Sequence, residues 1–263
     1  MTDDIWKWDE KKTRSELVDK LLEKSGWIKD KNFIEEYTIS PGRIVDEDGQ
    51  RINFKKADYV LFYPNAYSGQ PIAVIEAKKA SKDVLSGLEQ AKRYMNLLNV
   101  SFAYATNGIE IVEYDRTTKK AKRIENFPTP EELWERKVAY EGIIDPDPLK
   151  VPYKIAERKK PRYYQYIAVE RAIKAILNGQ KRVLLTMATG CGKTYVAFQI
   201  FWKLYHAGKV RRVLYLVDRV FLREQAYNAF EPFGNARIEL TSENITMSKD
   251  LFRNLSNTLF KER

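Results

Sequence analysis

The chain has 263 residues, with 44% apolar side chains, a formal charge of +10 from 46 Lys+Arg against 36 Asp+Glu, and one cysteine. That length suits one large or two modest domains, the apolar share argues against bulk disorder, and the basic balance favours a polyanionic partner such as DNA or RNA. A lone cysteine excludes an intrachain disulfide and a cysteine-built zinc site, and with a polar start and no apolar run near ~18 residues the expectation is a cytoplasmic protein that spans no membrane.

Residues 13–25 put Leu17, Val18, Leu21 and Leu22 on one helical face, and Gly26 ends that helix. Phe33 to Ile39 predicts a strand, closed by a turn at Pro41-Gly42. Ala57 to Tyr63 and Pro71 to Lys78 predict two more strands around the turn-rich PNAYSG. Leu85 to Leu98 is amphipathic, with Leu85, Leu88, Ala91, Met95 and Leu98 in register. Phe102 to Thr106 and Ile109 to Tyr114 predict a hairpin through Asn107-Gly108. FPTPEELWER carries a helix start, with Thr129 as N-cap, Pro130 at the first helical position and Glu132 at the third.

From about residue 141 the composition turns to Pro and charge, which suits a linker over 146–160. A helix is then expected over Tyr163 to Leu177 and a buried strand over Arg182 to Met187. A Gly-rich loop leads into a helix over Lys193 to His206. A second buried strand follows over Arg212 to Asp218, then a helix from about Arg219. Strand, loop, helix, strand, helix is the pattern of a parallel α/β sheet. The expected organisation is a domain over 1–145, the linker, and a partial parallel α/β domain over 161–263.

Three residues suggest hydrolytic chemistry in the first domain. Asp58 opens one predicted strand; Glu76 and Lys78 stand two apart near the end of the next, so both leave the same face. Two carboxylates at one point form a hard-oxygen site suited to Mg²⁺, which activates water against a phosphodiester. Lys78 would orient that water, help deprotonate it, or stabilise developing charge. Taken alone the pattern is also compatible with a strand-end carboxylate and a solvated Glu–Lys pair. Against this, Glu76 interrupts an otherwise apolar strand, and a buried carboxylate is costly without a cation. Gln90 and Tyr94, four apart on the following helix, share one face and could support Lys78 or a phosphate; surface decoration is the plainer account. Glu16 and Asp19 are further acidic candidates on the first helix.

The second domain carries Met187-Ala-Thr-Gly190-Cys191-Gly192-Lys193-Thr194 between a predicted strand and helix, where a phosphate-cradling loop belongs. Backbone N–H groups around Gly190, Cys191 and Gly192 would surround the phosphates of ATP. Lys193 would reach the β/γ oxygens, and Thr194 would ligate the accompanying Mg²⁺. The first position of the usual motif is Met187 in place of Gly. Upstream, Gln165 offers a donor and an acceptor suited to an adenine edge. Asp218 ends an apolar strand but is followed by Arg219 rather than Glu, so it lacks the sequence of an ATPase metal carboxylate. Cys191 fills a variable slot, and His206 sits where a helix C-terminus favours a cation.

The order of these motifs resembles the motor/restriction (R, or HsdR) subunit of type I restriction endonucleases. The segments that carry the likeness include TRSELVDKLLEKSGW, ADYVLFY, IAVIEAKK, GLEQAKRYM, YATNGIEIVEYDR, RYYQYIAVERAI, LLTMATGCGKTYVAFQI and VLYLVDRVFLREQA. The resemblance implies a PD-(D/E)xK restriction-endonuclease-like domain, a mixed sheet flanked by helices, followed by a partial RecA-like lobe of a superfamily 2 translocase. It implies that Asp58, Glu76 and Lys78 form a nuclease centre and that Gln90 and Tyr94 are its QxxxY element. It also makes Gln165 the adenine-reading glutamine, ATGCGKT motif I, and DRVFLREQ a motif facing the DNA backbone. Such enzymes act on double-stranded DNA with methylation (M) and specificity (S) subunits. The family's DEAH-type motif and second lobe do not appear in these residues, so a truncated piece is expected that keeps the nuclease fold but does not hydrolyse ATP. Two rivals stand beside this reading: a helicase whose front domain is a non-catalytic DNA-binding or docking module, and a stand-alone repair or phage nuclease–helicase.

Overall fold

The computed structural model describes residues 4–39, 55–66, 68–155 and 160–239. The turn expected at Pro41-Gly42 lies outside the described residues. Two compact units are distinguished, 1–212 and 213–263.

The first unit is built on six strands: β1 (Phe33–Ile39), β2 (Lys55–Tyr63), β3 (Gln70–Ala77), β4 (Phe102–Thr106), β5 (Ile111–Asp115) and β6 (Lys120–Ile124). Their order in the sheet follows the chain. Every neighbouring pair is antiparallel except β3–β4, which is parallel. The parallel pair requires a crossover, and helix α3 (Leu88–Leu98) supplies it. Strand β3 is buried along its whole length, which explains its continuous apolar run. Strand β6 has no counterpart among the sequence expectations: KAKRI is charged and exposed, and it pairs only because the turn after β5 returns the chain.

Helices cover both faces. Ala105 and Val112 pair across β4–β5 and pack with Val84 and Leu88 at the start of α3. One residue along, Tyr104 and Glu113 project to the opposite face. There Glu113, 1% exposed, accepts from the Tyr104 hydroxyl at 2.8 Å and from both Nη atoms of Arg136 at 2.8 and 2.9 Å. Arg136 belongs to α4 (Pro130–Tyr140), whose start is the expected capping box. Glu132 N–H donates to Thr129 Oγ1 at 3.2 Å, and Thr129 N–H to Glu132 Oε2 at 2.8 Å.

The N-terminal helix starts earlier than expected. Asp9 caps α1 (Glu10–Thr13), a π-helical stretch covers Arg14–Val18, and α2 (Asp19–Lys24) carries the chain to Gly26, whose φ of +84° suits a glycine. The amphipathic register expected from Leu85 is corrected. A 3₁₀ turn over Val84–Gly87, with Asp83 capping Leu85 N–H, buries Val84 and leaves Leu85 48% exposed. The tighter turn advances the phase, so the apolar stripe runs from Leu88.

The stretch expected as a linker contains a short helix, α5 (Asp147–Lys150), and an extended strap beyond it. That strap is held by α7 (Lys193–His206): Gln199 bonds both the N–H and the carbonyl of Lys154, at 3.1 and 2.7 Å, and Trp202 donates to Pro152 O at 3.1 Å. Helix α6 (Tyr163–Leu177) packs into the same core. Tyr166 lies 6.3 Å from Phe62 and 5.0 Å from Tyr153, centroid to centroid. The compact unit therefore runs through the strap and both helices to Arg212.

The two buried strands expected at 182–187 and 212–218 are not formed. Neither segment forms a strand or pairs into the sheet, and Leu184 is 90% exposed. The six-stranded sheet orders β1 to β6 without them, and an apolar segment becomes a buried parallel strand only when strands on either side take up its N–H and C=O groups. The second unit, described to residue 239, holds α8 (Val220–Ala229) and a 3₁₀ segment over Glu231–Ala236. Among the described residues no helix is long and apolar enough to cross a membrane.

Candidate active site

Tyr59 pairs with Ile75 across the antiparallel β2–β3 ladder. One step along that register sets Asp58 across from Glu76, with both side chains on one face. The two carboxylates therefore share one face of neighbouring strands, close enough for the Asp58 charge to act on Glu76. Asp58 Oδ2 accepts the Ala77 N–H at 2.8 Å, which binds the Asp58 side chain to the backbone between Glu76 and Lys78. Asp58 Oδ1 accepts from Arg14 Nη1 at 3.0 Å. Lys78 Nζ donates to Glu76 Oε1 at 2.7 Å, and its own N–H reaches Thr106 O at 2.8 Å.

The remaining Glu76 oxygen, Oε2, is buried without a hydrogen-bond partner, on a side chain only 3% exposed. Burial, reinforced by the Asp58 charge, pushes the Glu76 carboxyl up to about 7. An orphaned carboxylate oxygen with a second carboxylate on the neighbouring strand is a donor set that a hard dication could satisfy. Among the described residues no three His, Cys, Asp or Glu side chains converge as metal ligands. A two-carboxylate site completed by water matches the habit of Mg²⁺, which keeps much of its hydration shell. Burial pulls the Lys78 ammonium down, but Glu76 more than offsets this and holds it above its ordinary value, so Lys78 is a cation here.

Gly87 lies against this pair: a Cβ there would stand 3.3 Å from Glu76 Cγ and 3.4 Å from Lys78 Cε. Gln90 Nε2 donates to Tyr94 OH at 3.1 Å, so those two form the expected pair on α3, bonded to each other. Asp19 and Glu16 are engaged elsewhere. Asp19 accepts from the Tyr59 hydroxyl at 2.8 Å, and Glu16 from Lys20 at 2.9 Å. Arg14, Glu36 and Gly87 escaped sequence reasoning, because nothing in their spacing ties them to the ExK strand.

The raised Glu76 carboxyl has a consequence for stability. The folded chain keeps this proton to higher pH than the unfolded chain does, so the fold loses stability as pH rises from the ordinary carboxylate range towards about 7. Glu76→Gln keeps the position neutral throughout. With a chelator present, it should gain about 1–3 kcal/mol in urea unfolding at pH 8 and little at pH 5. An equal gain at both values would show that ionisation of Glu76 is not the cause.

The Gly-rich loop lies at the start of α7, as expected. Gly190 and Gly192 have φ of +78° and +82°, a region glycine enters freely. Lys193 Nζ turns back to the carbonyls of Met187 and Ala188, at 3.4 and 3.2 Å. Gln165 reaches the loop: its Nε2 donates to Cys191 O at 2.9 Å while its Oε1 accepts the Arg162 N–H at 2.9 Å. Any Cβ at Gly192 would come within 2.6 Å of that amide. Thr194 stands in the first turn of α7, and His206 lies against Trp202 with centroids 3.9 Å apart and the rings tilted by 51°.

Comparison with known proteins matches both regions separately. Residues 47–102, which hold Asp58, Glu76, Lys78, Gln90 and Tyr94, match the family described as the second domain of the type I restriction enzyme EcoKI endonuclease subunit. Residues 158–260, which hold Gln165 and the loop, match the family described as type III restriction enzyme, res subunit. The chain is 36% identical over 233 residues to the type I restriction enzyme EcoAI endonuclease subunit of Escherichia coli, covering 84% of this chain and 28% of that protein. It is 29% identical over 282 residues to the EcoKI endonuclease subunit of Escherichia coli (strain K12), covering 82% of this chain and 23% of that protein. A solved fragment described as an HsdR subunit of a type I restriction enzyme from Vibrio vulnificus YJ016 matches with a TM-score of 0.71 and 41% identity, over 89% of this chain and 45% of that one. The chain belongs to the R-subunit family of type I restriction enzymes. It spans about a quarter of the length of these curated R-subunit relatives. The likeness to the solved R-subunit fragment extends to a mixed α/β architecture around a six-stranded sheet.

Proposed function

We propose that this R-subunit chain carries a Mg²⁺-dependent nuclease centre for double-stranded DNA and the nucleotide-binding opening of an ATP-driven translocase. The observation that supports the nuclease reading most directly is the orphaned Glu76 Oε2, buried opposite Asp58 and beside Lys78. A magnesium ion between the carboxylates would polarise a phosphoryl oxygen and lower the pKa of the attacking water. Asp58 is fixed in place by the Ala77 N–H, and its other oxygen is held by Arg14. Lys78 stays charged, so its role is to orient the water and offset the negative charge that builds on the phosphate. Gly87, lacking a Cβ, lets the turn before α3 lie close against Glu76 and Lys78.

In the motor region the reading assigns ATP phosphates to the backbone N–H groups around Gly190, Cys191 and Gly192. Lys193, now on the loop carbonyls, would reach the β/γ oxygens, and Thr194 would hold the nucleotide's Mg²⁺. Gln165 would release its present partners to read adenine, which couples nucleotide arrival to the loop it now clasps. Residues 1–263 alone supply no acidic motif to hold the attacking water for ATP hydrolysis, so these residues by themselves bind nucleotide without turning it over. In the assembled enzyme, M and S subunits would supply sequence recognition, and cleavage would follow translocation.

The test of the metal site is a calorimetric titration of the chain with Mn²⁺ at pH 7.5. The native protein should bind at one site whose affinity collapses in Asp58→Ala and Glu76→Ala. Indistinguishable affinities in all three proteins would sink the two-carboxylate site.

A further inference from the structure

Arg14 is joined to the proposed metal site by more of the structure than its place in the sequence suggests. Its guanidinium bridges two carboxylates, Asp58 Oδ1 at 3.0 Å and Glu36 Oε1 at 2.9 Å, and lies 5.8 Å from the centroid of the Tyr59 ring. The side chain is only 13% exposed, and its Nε is buried without a partner. Two backbone irregularities converge on it. Arg14 opens the π-helical stretch Arg14–Val18, which shifts the phase of the residues before it against the core stripe of Val18 and Leu22. Glu36 holds a φ of +46°, a left-handed conformation that costs a residue with a Cβ steric strain, in the middle of β1. Both distortions place charge against the same guanidinium.

The arrangement bears on how a cation can enter. Asp58 has two oxygens, and Oδ2 is bound to the Ala77 backbone. Its other oxygen is the one Arg14 holds. A dication joining Asp58 to the orphaned Glu76 Oε2 through Oδ1 would share that oxygen with the guanidinium or displace it, and at either Asp58 oxygen it would sit close to the guanidinium, where two positive groups repel in a site largely shielded from water. Glu36 gives the guanidinium somewhere to go, since Nη2 already rests on it and its carboxylate is 57% exposed, free to follow.

We propose that Arg14 is a positioning residue that holds the Asp58 carboxylate in the cation's absence and yields it to the cation, with Glu36 as the counter-charge that receives the guanidinium. This rests on the two-carboxylate reading of the site. Arg14 thereby preorganises Asp58 and sets a threshold for divalent-ion binding.

The experiment is the same Mn²⁺ titration, extended to Arg14→Gln and Glu36→Gln, with Asp58→Ala as the reference for loss of the site. Removing the competing charge in Arg14→Gln should tighten Mn²⁺ binding by about tenfold. Glu36→Gln lies at an exposed position and should fold normally. It should weaken binding several-fold, because the guanidinium then has only Asp58 to neutralise it. A role confined to packing would weaken binding in both variants or change neither. Opposite signs support the latch; unchanged or weaker binding in Arg14→Gln overturns it, and so does unchanged or tighter binding in Glu36→Gln. If the native chain binds Mn²⁺ through Asp58 and only these signs fail, the latch falls and the metal site stands. If no protein of the set binds Mn²⁺, both fall together.

Discussion

Asp58→Ala, introduced into a full-length R subunit assembled with the M and S subunits proposed above, is expected on the proposed nuclease reading to abolish DNA cleavage while the proposed ATP-driven translocation continues unchanged. Asp58 Oδ2 is held 2.8 Å from the backbone nitrogen of Ala77, across the ladder from the buried Glu76, so its loss would remove one of the two carboxylates of the proposed cation site. A metal ion contributes several kcal/mol of transition-state stabilisation, so the cleavage rate should fall on the order of a thousandfold or more. Asp58→Asn is the sharper control. It keeps the shape and can still accept one hydrogen bond, but it lacks the charge, and it should be nearly as inactive. Lys78→Ala should lose cleavage too, with Mn²⁺ binding largely kept, because Lys78, a cation paired with Glu76 Oε1, would not itself ligate the metal. Cleavage is read from supercoiled plasmid, and translocation from displacement of a triplex-forming oligonucleotide. Cutting at native rates by Asp58→Asn would favour the rival in which the front domain only docks on DNA.

The second large effect concerns stability and lies at the join of α4 and α6. Lys137 is fully buried, and its Nζ donates to Glu170 Oε1 at 2.7 Å and to Glu141 Oε1 at 3.0 Å. Lys174 pairs with the same two carboxylates, and Ser101 Oγ donates to Glu141 at 3.1 Å. The cluster holds two cations and two anions, so it is balanced as it stands. Lys137→Met leaves Glu170, nearly as buried, with one cation for two carboxylates. Removing one partner from a buried pair costs about 3–5 kcal/mol, far more than the intact pair contributes over an apolar substitute. Burial pushes the Glu170 carboxyl up, but Lys137 and Lys174 outweigh it and hold the carboxyl well below its ordinary range. That contribution is present above the unfolded-state value and is lost as pH falls through the folded one, so native and variant proteins should converge on acidification. Lys137→Met combined with Glu170→Met should recover much of the loss at neutral pH, because no uncompensated charge of that pair remains. Urea unfolding of the three proteins at two pH values checks this; an additive double variant would show that packing, and not charge, dominates.

The chemistry of this chain was written locally, and its sequence carried it. A carboxylate breaking an apolar run at Glu76, with a lysine two residues on, marks a strand that ends in a buried polar site, and period two puts both groups on one face whatever surrounds them. The loop from Met187 to Thr194 and the capping box at Thr129 are equally short-range, for a glycine's freedom at positive φ and a Thr–Glu reciprocity need only neighbouring residues. What the sequence could not decide was everything that depends on a partner distant along the chain. Register alone places Asp58 across from Glu76, and Arg14 and Glu36 reach Asp58 only after the first helix is laid beside β1 and β2. Val84 displaced Leu85 from the core because one tight turn changed the phase of a stripe that looked helical throughout. The Pro-rich stretch after 145 read as a spacer, yet Gln199 and Trp202 bind its backbone and draw it into the first unit. The apolar segments 182–187 and 212–218 carry the composition of buried strands and none of the pairing, since composition is a property of a segment and a ladder is a property of two.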